Sequence, residues 1–208
     1  MARKSGNRAA QTAKRPSRIR EHAESIFVGA VLFLFLRTFM VQAFQIPSGS
    51  MEDTLLVGDF LVANKFLYGA RIPWTETRLP AVRAPRAGDI IVFRAPHVEK
   101  DYIKRCVAVE GDTVELRDNV LYVNGIARDE EYTVFKGPAA PSVATWGPAT
   151  VPPGHLLMLG DNRNMSQDSR YWGFLDKKRV KGLAMFLYFS WDKDRFLPRF
   201  GRFFRPIH

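Results

Sequence analysis

The feature that most constrains this chain is an unbroken apolar run, Ile26-Phe27-Val28-Gly29-Ala30-Val31-Leu32-Phe33-Leu34-Phe35-Leu36, directly behind a basic leader. The run continues past Arg37 through Phe39-Met40-Val41 to about Phe44, close to the roughly 20 residues a helix needs to cross a hydrocarbon core. Arg37 lies near its end, where a long stem can carry the charge to the interface. No polar face interrupts Ile26 to Leu36, which argues against a buried core helix. The first twenty positions hold seven basic residues (Arg3, Lys4, Arg8, Lys14, Arg15, Arg18, Arg20) and no acid. Such a leader cannot bury apolar surface and favours a cytoplasmic N-terminus. The sequence therefore divides into a disordered basic leader (1–23), a transmembrane helix (24–43) and one extracytoplasmic domain (44–208). A cleavable signal peptide shares this layout, and Val41-Gln42-Ala43 resembles a cleavage site. The apolar stretch is long for a signal core, and the anchor is the favoured reading.

The 31 Lys and Arg against 21 Asp and Glu give a net charge of +10. That balance raises a nucleic-acid or lipid-binding protein as a rival. Much of the charge sits in the leader, however, and no aromatic-rich nucleic-acid motif follows; no nucleic-acid partner is expected. The single cysteine, Cys106, excludes an intrachain disulfide. The sequence leaves the oligomeric state open.

Beyond Phe44 the pattern is one of short strands bounded by Gly, Pro, Asp and Asn. Strand-like runs are Asp59 to Asn64, Asp89 to Arg94, Tyr102 to Glu110, Thr113 to Arg117, Val120 to Val123, His155 to Leu159 and Gly182 to Ser190. Asp118-Asn119 predicts a two-residue hairpin turn, and Asn124-Gly125 ends the second strand. Residues 70–88 and 128–150, rich in proline, read as loops. The fold class is mostly β: one N-terminal transmembrane helix, then an antiparallel β-sandwich or partly closed barrel. The tail from Arg195 to Arg205 interleaves Arg with apolar residues. It either lies on anionic headgroups or packs back on the domain.

Three stretches carry chemistry. Ser50 follows an extended Ile46-Pro47 entry, beside Gly49, which permits close backbone approach. Lys104 sits in an apolar strand whose alternation puts Tyr102, Lys104 and Cys106 on one face. A lysine so placed is either an edge residue reaching water or a buried amine with a task. Gly160 to Gly173 packs charges, amides and hydroxyls between two strands, with Asp168 facing Arg170. A serine hydroxyl needs a neighbouring base to become a nucleophile, and a lysine serves only when desolvation keeps it neutral. The four histidines form no metal pair, and a Ser50–Lys104 site needs neither metal nor cofactor. A Ser-His-Asp arrangement using His155 and Asp161 is a competing assignment.

These boxes resemble those of bacterial type I signal peptidases, also called leader peptidases. The resemblance rests on Pro47-Ser48-Gly49-Ser50-Met51-Glu52-Asp53-Thr54-Leu55, on Tyr102-Ile103-Lys104-Arg105 with Gly111-Asp112, and on Gly160 through Arg170. Two departures stand out: Asp53 where the family usually has proline, and Asn164-Met165 in place of Asp-Asn. The resemblance implies a serine endopeptidase of the cytoplasmic (inner) membrane that removes signal peptides from exported preproteins, its partners being those signal peptides and the lipid bilayer. It assigns Ser50 as nucleophile, Lys104 as general base, the Ser48 hydroxyl and Ser50 N–H as oxyanion hole, and Ser166 as the residue orienting the lysine. Asp168 and Arg170 brace the loop, and Asn162 and Asp161 are structural. Substrates would carry small residues, Ala-x-Ala, before the cut, in a pocket walled by Phe44, Ile46, Leu55, Tyr102 and Ile103.

Overall fold

The computed structural model describes residues 18–75, 77–138 and 144–208. The chain divides into two units, 1–36 and 37–208. The first holds helix α1 (Arg18–Phe35), which buries none of its residues. A π-helical stretch, Leu36–Met40, extends it. Arg18–Met40 is 23 residues long, long and apolar enough to cross a membrane by length and composition. Positions 18–23 of the expected leader are helical, and the rest of that leader lies outside the described residues. Val41, Gln42 and Ala43, expected to finish the helix, instead open strand β1 (Val41–Gln45). There the alternation of half-buried Gln42 and Phe44 with exposed neighbours follows a strand's period of two.

The second unit is antiparallel β throughout its two sheets. The larger sheet runs β1, β2 (Asp59–Asn64), β11 (Val180–Asp192), β3 (Ile90–Arg94), β4 (Asp101–Val109), β9 (His155–Leu159) and β10 (Leu175–Asp176), with β12 (Leu197–Pro198) pairing β11. The smaller runs β7 (Ile126–Ala127), β6 (Val120–Val123), β5 (Thr113–Arg117) and β8 (Trp146–Thr150). The β5–β6 turn is the expected one: Asp118 and Asn119 both take positive φ, 50° and 68°, as a type I′ turn requires. Asn124 and Gly125 repeat this geometry between β6 and β7. Strand β8 corrects the reading of 128–150 as loop.

Three apolar clusters fill the unit. One packs Ile46, Met51, Leu55, Leu61, Val92 and Leu187 beneath the Ser50 loop. A second joins the two sheets through Leu116, Leu121, Leu157 and Leu159. A third places Ile91, Phe93, Cys106 and Met158 around β3, β4 and β9. The tail packs back on this unit: β12 pairs β11 at Trp191↔Pro198 and Asp192↔Leu197. Arg202 Nη2 donates to the buried Asp59 carboxylate at 2.6 Å and to the Thr54 carbonyl at 3.0 Å. Phe196, Phe200 and Phe204 remain exposed.

Candidate active site

Ser50 lies in a short 3₁₀ turn, Gly49–Met51, that starts as the chain leaves β1. Ile46 N–H donates to the Asp59 carbonyl at 2.8 Å and Met51 is fully buried, so both flanks of the turn are fixed to the sheet. Lys104 is central in β4, paired with Ile91 of β3. Both side chains are removed from water: Ser50 is 7% exposed and Lys104 4%. The Lys104 ammonium donates to Ser50 Oγ at 2.6 Å and to the Ile103 carbonyl at 3.1 Å. Its Nζ also stands 5.5 Å from the centre of the Tyr102 ring, in keeping with their shared strand face. Burial pushes the Lys104 amine down to about 8; Asp168 and Asp161 pull it back up, and Arg170 pushes it further down. Such an amine is about one-tenth neutral at pH 7 and half neutral near pH 8, so the form that can accept a hydroxyl proton is within reach.

Three buried ion pairs stand around this contact. Arg105 grips Asp161 through two bonds, 2.9 and 2.7 Å, and Thr54 Oγ1 adds a third donor at 2.6 Å. Arg170 and Asp168 form the expected pair, at 2.8 Å twice, and Arg170 also reaches the Arg163 carbonyl. Arg163, almost wholly buried, binds Glu130 at 2.7 Å. The Asp161 carboxylate is thus committed, and His155 Nδ1 faces the Pro153 carbonyl at 2.9 Å; the competing His155–Asp161 assignment is not assembled around Ser50. Asn162 binds the Ser50 loop twice, its N–H to the Ser50 carbonyl at 3.2 Å and its side chain to the Gly49 carbonyl at 3.3 Å. The departure at Asn164 keeps the loop bonded, because its amide donates to the Phe135 and Gly137 carbonyls. At Asp53 φ is 72°, a value the proline ring forbids.

Ser166 departs from its expected contact. It is buried, and its Oγ has no hydrogen-bond partner among the described residues. The second bond of Lys104 goes to its neighbour's carbonyl instead. Ser48 is exposed, makes no capping bond and lines the cleft with Ser50.

That cleft, of about 370 Å³, is lined by Phe44, Ile46, Tyr102 and Ile103. Leu55 is not on its surface. It is fully buried in the cluster beneath Ile46 and supports the wall from behind. Val92, Met165 and Gln167 also line the cleft, none of them assigned to it from the sequence. Only the change to apolar Met165 inside a polar loop signalled one of them. Arg105 and Arg163 were missed as buried anchors because nothing local distinguishes them from surface arginines.

The sequence profile described as "Signal peptidase, peptidase S26" matches residues 19–191. Signal peptidase I of Pseudomonas aeruginosa is 36% identical over 88% of this chain and 77% of its own length. Probable signal peptidase I-2 of Synechocystis sp. is 36% identical over 79% of this chain and 70% of its own. Signal peptidase I of Leptolyngbya laminosa is 35% identical, covering 85% and 83%. With the match spanning both the apolar helix and the Ser50–Lys104 cleft, the chain belongs to the type I signal peptidases, serine peptidases of family S26.

Proposed function

We propose that this chain is a membrane-anchored endopeptidase that removes N-terminal signal peptides from exported preproteins, with Ser50 as nucleophile and Lys104 as general base. One observation carries the reading: a buried amine, lowered to about 8, bonded at 2.6 Å to a buried serine hydroxyl. Neutral Lys104 takes the Ser50 proton as Oγ attacks the scissile carbonyl, then hands it to the leaving amine. Water, deprotonated by the same lysine, releases the acyl group. The Ser50 N–H, in the first turn of its short helix and so without an intrahelical partner, and the Ser48 hydroxyl hold the oxyanion. Asp168 and Arg170 fix the loop that carries Ser166, a positioning residue for the lysine.

The substrate adds beside β1, which ends the larger sheet and has no partner on its outer edge among the described residues. Phe44, Ile46, Tyr102 and Ile103 leave room for small side chains, favouring Ala-x-Ala before the cut. The basic leader stays cytoplasmic, residues 44–208 face outward from the cytoplasmic membrane, and Arg18–Met40 spans it. Tethering at that depth raises the effective concentration of signal-peptide ends. The test is cleavage of a preprotein carrying Ala-x-Ala by the full chain. Ser50→Ala and Lys104→Ala should each lose at least about 10³-fold in kcat/KM, and His155→Ala should cut normally. Retained cleavage in Lys104→Ala refutes the dyad.

A further inference from the structure

A second cleft, of about 680 Å³, opens beside the start of β1 and is strongly basic. Lys65 enters it from the end of β2, Arg71 and Arg78 from the following loop, and Arg94 from the end of β3. Lys178 and Arg179 come from the β10–β11 connection and Lys181 from the start of β11, and among the described residues Glu99 and Asp176 line it with negative charge. Pairing removes part of the excess: Arg94 binds Glu99, and Lys181 binds Asp101 at 2.7 Å. Lys65, Arg78, Lys178 and Arg179 form no salt bridge among the described residues. Arg78 is locked by the carbonyls of Lys178 and Val180, at 2.6 and 2.7 Å, and Arg179 by that of Ala95. Carbonyls orient these guanidinium groups without cancelling their charge. Lys178, by contrast, is exposed with no side-chain partner among the described residues. The cations also oppose one another: burial and then Lys181 lower Lys65, and burial and then Arg71 lower Arg78, against a smaller upward pull from Asp176. A cleft lined this way favours an anionic ligand.

Its position narrows the choice of anion. Lys65 donates its backbone N–H to the Met40 carbonyl at 2.9 Å and its ammonium to the Thr38 carbonyl at 2.5 Å. Thr38 and Met40 are the last residues of the apolar segment Arg18–Met40. Gln42, two residues on, lines the cleft itself. The cations therefore cluster where the chain leaves its apolar stretch, the depth at which a bilayer presents phosphate. We propose that this cleft is a binding site for the phosphate of an anionic phospholipid headgroup. The site borders the substrate cleft: Gln42 and Phe44 share a face of β1, and Asp101, which holds Lys181, lines the other cleft. A bound headgroup would thus hold the catalytic cleft close to the bilayer surface. The inference rests on Arg18–Met40 spanning a bilayer, which resistance of the full chain to alkaline carbonate extraction tests by itself.

The experiment titrates short-chain phosphatidylglycerol, phosphatidylcholine and inorganic phosphate into the full chain held in neutral-detergent micelles, followed by calorimetry. Phosphatidylglycerol should bind at least about tenfold more tightly than phosphatidylcholine. Lys178→Gln, which removes one exposed ammonium and no hydrogen bond, should weaken it about fivefold, and Lys178→Gln with Arg179→Gln further. The melting temperature of each variant without lipid checks its folding, and the single variant stands if the double does not fold. Equal affinity for the two lipids, or no effect of Lys178→Gln, overturns the proposal. Inorganic phosphate binding as tightly would make the ligand a free anion, and displacement of phosphatidylglycerol by an acidic peptide would make it a polypeptide; either also overturns it.

Discussion

The Ser166 hydroxyl occupies the space that a Cβ on Gly160 would need, and the same Cβ would lie 2.5 Å from the Ser50 carbonyl oxygen. Residue 160 thus holds the lysine-side loop and the serine-side loop together by having no side chain. Gly160→Ala must displace one or the other. A shift near 1 Å in the dyad costs on the order of 10² in rate, so kcat should fall by about that factor while substrate affinity changes little. Ser166→Ala removes a hydroxyl with no hydrogen-bond partner among the described residues. Its melting temperature should stay within about 2 °C of wild type, yet kcat should drop if the hydroxyl steadies the neutral amine during turnover. Ser166→Thr should restore part of the loss.

Burial that lowers Lys104 to about 8 makes its protonation visible in the working range. kcat/KM should rise about tenfold per pH unit below 8 and level off above it. The stability consequence has a definite sign. Between about 8 and 10.5 the unfolded chain binds the proton that folded Lys104 has lost, so this residue's contribution to stability rises with pH across that window. Below 8 the penalty for burying the charge is fully present, on the order of 3 kcal/mol. Lys104→Met should therefore be more stable than wild type at pH 7, with the difference shrinking as pH climbs toward 10.5. Denaturant melts of both proteins across that range measure it, and a difference independent of pH would contradict the buried amine.

Leu55 separates packing from recognition. Leu55→Ala should cost about 2–5 kcal/mol through the cavity it leaves beneath Ile46. The proposed preference for alanine before the cut should persist in the molecules that fold. Ile103→Ala, opening the cleft wall itself, should admit larger residues there. A panel of preproteins with Ala, Val or Leu at that position, cut at low temperature, distinguishes the two.

Asp53 makes a separate point about backbone. With φ at 72° and an ion pair to Lys136, this residue suits a turn that proline cannot enter. Asp53→Pro should lower stability by about 1–3 kcal/mol and Asp53→Gly much less, as read from thermal melts of the full chain. A Pro variant as stable as wild type would mean that the turn has a second accessible conformation.

The strands with clean alternation, such as Thr113–Arg117 and Val120–Val123, were legible because one face is apolar and positive-φ residues end them. β8 was not, since Gly147 and Pro148 interrupt its pattern; it survives as the outer strand of the smaller sheet, where a missing N–H is tolerated. β1 was hidden because its apolar residues continue those of the helix without a break. At the site, Ser50 and Lys104 were legible from chemistry that their surroundings made unusual. Arg105 was not: its partner Asp161 is 56 residues away, and no local pattern marks an arginine that will be buried. Leu55 was misplaced for the opposite reason, an apolar residue in a functional box that serves the interior.

The turn after Ser50 is held from far along the polypeptide. Arg202 reaches Asp59 across 143 residues and Thr54 across 148, and Arg105 holds both Asp161 and the His208 carbonyl. Contacts of such separation close late, because the intervening loop must be ordered first. The turn that carries Ser50 would therefore be among the last parts of this unit to settle, since it waits on groups supplied from remote stretches of the polypeptide.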